Sequence, residues 1–362
     1  MLPKKAPKVV FPDNHATYVK ALYKNILAEG SLFFDDRART FIQNRTRYLF
    51  KEYKDCTDLE RVKSKIKEAR RKLHKLEEAN RGNFRKAYKI LLDVYGRRGK
   101  VRHSLLYPYL NQFKPADFKY PEPFVPHVPR TAPPPPLCPP LRVLITDHLG
   151  KKLSPVLPEP KHKPLHVGRK ANLLWRHHSN LLSRVPVPLP FEILCELETK
   201  AGAPPNHPMS AASLGKGGPK WNQFYFAYQN NPDLAHLSPH LKSHVSQSKV
   251  VRSQTVADMR SPYETVKKPN ILEYLEEKES KKPELQKYES PYNNRQTRRL
   301  YRRLLNEIPC IDMFTWETLW KEDVNYTIFK SNWIPKGVRE LLPETLSSEV
   351  VEETMKTNKR KK

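Results

Sequence analysis

Between Asn14 and Tyr95 apolar residues recur every three or four positions through four successive segments, a periodicity that requires helix. In the first, Asn14 to Glu29, the residues Tyr18, Val19, Leu22, Tyr23, Ile26 and Leu27 form one stripe. Asn14 suits an N-cap and Gly30 a left-handed stop. The second runs from Asp35 or Asp36 to about Tyr53. Ala38, Phe41, Ile42, Leu49 and Tyr53 give it an apolar face, and Arg37, Arg39, Arg45, Arg47 and Lys51 give it a cationic one. Thr57 and Glu60 fit a capping box opening the third, in which Leu59, Val62, Ile66, Ala69, Leu73 and Leu76 lead to Asn80-Arg81-Gly82. The fourth, Phe84 to Tyr95, stops at Gly96. Such short, charged helices are unstable alone in water, so their stripes must pack on one another. The expected fold is mainly α, with a three- to four-helix up-down bundle at its N-terminal end.

Proline changes the character of the chain after about Pro108. Ten of the twenty residues from Pro121 to Pro140 are proline, which removes backbone donors and favours stiff, extended chain. The expected layout is a basic segment at 1–13, the bundle at 14–108 and a proline-rich linker at 109–140. A basic, largely extended region at 141–260, a helical and aromatic region at 261–343 and a charged tail at 344–362 complete it. In the irregular middle, Leu141–Ile145 reads as a strand and Phe191–Leu197 as a short helix or strand, elements that lie over another surface rather than build a core. Helix returns over Asn270–Lys278 and Asn293–Glu307, in the C-terminal extension.

The 66 lysines and arginines against 38 acidic residues give a formal charge of +28, which attracts RNA, anionic lipid or an acidic protein. Four cysteines, Cys56, Cys138, Cys195 and Cys310, lie far apart with no CxxC pair, so neither a disulfide framework nor a zinc site is expected. No apolar run reaches the roughly 18 residues of a membrane span. The N-terminal eleven residues are basic but carry two prolines, and make a weak targeting signal.

Catalytic signatures are missing: there is no phosphate-binding loop, dinucleotide fingerprint, HExxH or GxSxG. His162 and His166 are split by Pro164, His177 and His178 are adjacent, and Gly215–Gly218 lacks the strand and helix of a phosphate cradle, so no metal or cofactor is expected to bind directly. The chain is expected not to be an enzyme. Basic residues interleaved with an aromatic mark Lys161, Lys163, Arg169, Lys170, Trp175 and Arg176 as candidates for nucleic-acid contact. A second such cluster is Arg295, Arg298, Arg299, Arg302 and Arg303, on a helix where Tyr301 and Leu304 are packing residues.

Leu22-Tyr23-Lys24 on the first helix, an acidic break at Asp35-Asp36, and Arg45-Thr-Arg47-Tyr-Leu-Phe50 near the end of the second together resemble the LYR-motif (complex 1 LYR-like) family of mitochondrial proteins. The resemblance covers about 14–95, and the chain would be a large member with a long C-terminal extension. It implies a mitochondrial matrix location and a partner, mitochondrial acyl carrier protein, whose acyl-phosphopantetheine arm enters between the helices. Lys24, Arg45 and Arg47 would meet the acidic carrier. Leu22, Ile26, Phe41 and Phe50 would line the acyl channel, with Tyr23 completing the partner-binding set. The third motif position is Lys24 rather than arginine, which keeps the charge and loses the planar fork.

The resulting expectation is a non-enzymatic adaptor that binds acyl carrier protein and acts in assembly of a respiratory complex or the mitochondrial ribosome. Two alternatives stay open: a mitochondrial ribosomal or RNA-binding protein, and a nuclear or nucleolar RNA-processing protein whose terminal Lys-Arg-Lys-Lys serves import.

Overall fold

The computed structural model describes residues 11–110, 131–159, 164–204, 207, 208, 210–226, 231–240, 247, 250–252, 285–331 and 333. The expected helix at 270–278 and the tail at 344–362 lie outside them. The chain is mainly α-helical and forms two compact units, residues 1–94 with 241–294, and residues 95–240 with 295–362.

In the first unit α1 (His15–Leu32), α2 (Asp36–Glu52), α3 (Leu59–Asn80) and α4 (Phe84–Val94) follow the four apolar stripes. α1 packs on both α2 and α3, and α4 packs on α2 and α3. Tyr18, Leu22 and Ile26 of α1, Ala38 and Ile42 of α2, Ile66, Leu73 and Leu76 of α3, and Ala87, Tyr88 and Leu91 of α4 are buried. The ends differ from the sequence expectation in three places. Asn14 makes no side-chain cap, and α1 continues through Gly30, which is buried inside the helix. A Cβ on Gly30 would sit 2.7 Å from Ile42 Cγ2, so this glycine serves close approach of α1 and α2 rather than a stop. The cap of α3 is Asp58, whose carboxylate accepts from the amides of Glu60 (3.0 Å) and Arg61 (3.3 Å), and Glu60 pairs with Lys63 instead of closing a box.

Chain from far downstream completes this unit. The Tyr292 hydroxyl donates to Ala79 O, and its ring packs on Phe34 (5.2 Å) and Phe84 (5.3 Å). Gln247 donates to Leu32 O at 3.0 Å. A two-stranded antiparallel ladder, β1 (Val250–Arg252) with β2 (Leu285–Lys287), pairs Val251 with Gln286.

The second unit begins with α5 (Gly99–Leu110), which the sequence reading left inside the N-terminal bundle. α6 (Pro139–Val143) runs into a π-helical turn at Leu144–His148, so the strand expected at Leu141–Ile145 is helix. Pro139 at its first position explains this, since proline's fixed φ suits a helix start. Then come α7 (Val167–Arg184), α8 (Phe191–Lys200), α9 (Ala211–Leu214), α10 (Asn294–Asn306) and a second ladder, β3 (Cys310–Ile311) with β4 (Ile328–Phe329). The unit has its own core, against the expectation that the middle of the chain lies over another surface. Leu141, Leu144, Val187, Ile193, Leu197, Trp221, Phe224, Leu304 and Phe314 are all buried in it.

Buried polar groups fix the joints of the second unit. Arg102 donates to Leu182 O and to Val185 O (2.7 Å), satisfying carbonyls at the C-terminal end of α7. Arg97 donates to Tyr95 O (3.1 Å), Val187 O (2.6 Å) and Glu307 O (3.4 Å). Desolvation pulls its guanidinium down to about 10, with Glu307 opposing, which still leaves it cationic at neutral pH. Glu198 accepts from the Ala211 amide (2.9 Å) and the Ser331 hydroxyl (2.6 Å), and burial raises its carboxyl.

Candidate partner-binding site

The turn between α1 and α2 is built to return the chain on itself. Asp35 caps α2 by accepting from the Ala38 amide at 2.9 Å. Arg39, read from sequence as part of a cationic face, is instead buried, and its guanidinium holds Phe33 O (3.0 Å) and Phe34 O (3.3 Å). With the turn clamped, the middle of α1 faces the far end of α2. Tyr23 and Phe50 therefore meet, ring centroids 5.1 Å apart and tilted by 58°. The two sequence motifs become one surface through that contact.

Side chains of the motif divide by depth. Leu22 (1% exposed) and Ile26 (4%) belong to the packed core. Tyr23, Phe41 and Phe50 are half-buried, whereas Lys24 and Arg47 are exposed. Arg47 donates to Gln43 Oε1 at 3.3 Å, one turn back on the same helix, and Arg45 lies 5.8 Å above the Tyr48 ring. Of the four residues proposed to line the acyl channel, Phe41 and Phe50 thus reach the accessible layer, and Leu22 and Ile26 do not.

The structure adds residues that the motif reading missed. Tyr48 is the exposed aromatic of α2, at 45% exposure, three positions after Arg45. Lys54, in the turn just past α2, is exposed, and with Lys51, already read as part of the cationic face, it extends the charge of Arg47. Helical spacing from Arg45 is the signal that would have found Tyr48, whereas Lys54 lies past the end of α2, where that spacing gives no signal. Tyr53 is covered by the cations of α3, with Arg61 at 5.2 Å and Lys65 at 4.7 Å from its ring.

The two basic clusters fare differently. Lys161 and Lys163 lie outside the described residues. Arg169, Lys170 and Arg176 are exposed on α7. Trp175 is half-buried: its indole donates to Ala132 O at 2.9 Å and meets His178 edge-on at 5.9 Å. That ring is engaged in internal packing, not presented as a stacking platform. On α10, Arg298, Arg299 and Arg303 are exposed, while Arg302 donates to Ala201 O at 3.0 Å.

Among the described residues no group of three or more His, Cys, Asp or Glu side chains is arranged to hold a metal ion. The four cysteines are free thiols. Burial pushes Cys138 and Cys195 up to about 12 and Cys310 higher still, which keeps them protonated and poor nucleophiles at neutral pH. No described helix is long and apolar enough to cross a membrane.

Compared with known families, residues 22–106 match the model described as LYR motif-containing protein 2-like. This segment is an LYR-type module. Its match opens on Leu22, the first residue of the triplet, and closes within α5, so it takes in the helices of the first unit and the entry to the second. The extension beyond the module carries no family match, and neither a curated protein nor a solved structure matches the chain.

Proposed function

We propose that this chain is a non-enzymatic mitochondrial adaptor whose LYR module binds acyl carrier protein, and whose C-terminal extension engages a larger assembly, a respiratory complex or the mitochondrial ribosome. The observation that carries this reading is the Tyr23–Phe50 contact, which gathers the triplet on α1 and the Arg-x-x-Phe segment on α2 into one face. Lys24, Arg47, Lys51 and Lys54 rim that face with exposed positive charge. Acidic carrier helices would be steered there by long-range attraction and held by charge-assisted hydrogen bonds.

The acyl-phosphopantetheine arm would come with the carrier; the module supplies only its surroundings. Phe41 and Phe50 offer the accessible apolar lining, and an acyl chain reaching Leu22 or Ile26 would require α1 and α2 to part. Transient parting of packed helices is a cost that binding must offset.

The test is purification of the chain from its native source with intact mass spectrometry of co-eluting proteins. A stoichiometric acylated carrier is expected, and its absence would sink the proposal. Replacing Arg45 and Arg47 by Glu is expected to weaken carrier binding by about 100-fold or more, since like charges then face each other across the interface. Circular dichroism should show helix content unchanged, because Arg47 is exposed and Arg45 lies over an exposed ring. Carrier binding that survives this double change would show that the cationic rim is misassigned.

A further inference from the structure

The face of α10 turned away from the core has no role in the LYR module. This helix carries five arginines and no acidic residue in Asn294–Asn306. Leu300, Tyr301, Leu304 and Leu305 are buried and seat it in the second unit. Arg302 is spent on Ala201 O, and the aliphatic part of Arg298 lies against Gly202, where a Cβ would be 3.5 Å from Arg298 Cδ. Arg295, Arg298, Arg299 and Arg303 face outward. Among the described residues no carboxylate pairs with Arg295, Arg298 or Arg299. Lys200 nearby is paired with Glu196 at 2.8 Å, its amino group 5.7 Å over the Tyr301 ring, so the charge of the ridge comes from the arginines.

We propose that this arginine ridge binds the phosphate backbone of helical RNA, independently of sequence. Arg295, Arg299 and Arg303 stand one above the next at four-residue intervals, about 6 Å apart along the helix axis, so one ridge can follow a strand. Every cation on the helix is arginine, whose planar fork matches phosphate in two hydrogen bonds where lysine offers a point charge. A lipid surface fits less well: the outward residues include no apolar side chain to insert among acyl chains. Single-stranded RNA also fits less well, because it is gripped by stacking on exposed aromatics, and both Tyr301 of α10 and Trp175 of α7 are packed within the protein. Recognition by backbone and shape is the mode that duplex RNA permits. The arginines of the ridge belong to the second unit and Tyr23 to the first, and this proposal does not depend on carrier-protein binding.

Fluorescence anisotropy of a labelled 20-base-pair RNA duplex with the full-length chain, titrated over salt, tests it. Each phosphate contact contributes about 0.9 to the slope of log K against log salt, so R295Q/R298Q/R299Q is expected to flatten that slope by about 2 to 3. At about 150 mM salt its affinity should fall tenfold or more. Arg302 is left in place to preserve the Ala201 contact. The charge-preserving R295K/R298K/R299K variant should keep the slope while losing part of the affinity. Neutralising three exposed cations elsewhere, K67Q/R71Q/R85Q, should lower the slope by less than 1. An equal effect of that control would mean that net charge, not the ridge, binds, and would overturn the proposal. So would an unchanged slope in the glutamine variant, or tighter binding to a polyglutamate peptide or to phosphatidylserine vesicles than to the duplex. Should the triple glutamine variant melt early by circular dichroism, R295Q alone decides, with an expected slope change of about 1 and no change as the refuting result.

Discussion

Gly30 shows how one residue can be given the wrong meaning by a sound local rule. Glycine after a helical stripe is usually a stop, because it tolerates the left-handed conformation. Here α1 continues through it, and the missing side chain admits Ile42 of α2. Gly30→Ala gains helix propensity worth up to about 1 kcal/mol but places a methyl 2.7 Å from Ile42 Cγ2. That atom hangs directly from a Cβ on a packed helix and cannot swing aside. Overpacking of this kind costs about 1–3 kcal/mol, so a net loss is expected, seen as a lower urea midpoint. Ile42→Ala in the same chain should make the Gly30→Ala change nearly harmless. Strict additivity of the two would show that the pair does not interact. The arginines of α2 teach the same lesson. Arg37 and Arg39 are indistinguishable by type from Arg45 and Arg47, yet Arg39 clamps the turn and Arg47 is exposed.

At the level of elements, the helices of the first unit and α10 were legible because a 3.6-residue period is a local property. Their boundaries fell within two or three residues of expectation, with Asp35 capping α2 as acidic residues at such breaks do. What periodicity could not convey is which helix meets which. α5 is contiguous with the bundle in sequence but belongs to the second unit, where Arg102 supplies the donors that the last turn of α7 lacks. Arg102→Met should therefore destabilise the protein by about 2–4 kcal/mol, since buried carbonyls are left without a partner. Hydrogen exchange at the C-terminal turn of α7 should rise with it. An unaltered exchange pattern there would mean that Arg102 merely fills space. The short α6, expected as a strand from its run of branched apolar residues, shows where pattern is too brief to discriminate. Leu141–Ile145 is only five residues long, and the two prolines just before it, at the start of α6, tip it to helix.

For the whole molecule, the family match and the compact units do not share a boundary. The match spans residues 22–106, whereas the first unit ends at Val94 and draws in 241–294. A fragment cut at residue 108 would lose Tyr292 from between Phe34 and Phe84, and would strip the apolar α5 residues Val101, Leu105 and Leu106 of the unit that buries them. Such a fragment is expected to be protease-sensitive and prone to association, while the full-length chain gives a stable core on limited proteolysis. Equal resistance of the two would show that α5 and the Tyr292 segment are dispensable. The candidate carrier site was legible because its residues lie on two consecutive helices, where a clamped turn suffices to bring them together.

By itself the sequence determined that this chain is mainly helical, where its N-terminal helices run, and that Leu22-Tyr23-Lys24 and Arg47-Tyr-Leu-Phe50 belong to an LYR-type module. Those properties rest on residues within a few turns of one another. The tertiary structure decided that Leu22 and Ile26 are core, that Arg39, Arg97 and Arg102 hold joints, and that Trp175 packs inward. It also decided that the proline-interrupted middle builds a core of its own. Each of these depends on which buried carbonyl or apolar surface lies opposite a side chain, and the partner is often far along the chain: Val185 is 83 residues from Arg102, and Ala79 is 213 from Tyr292.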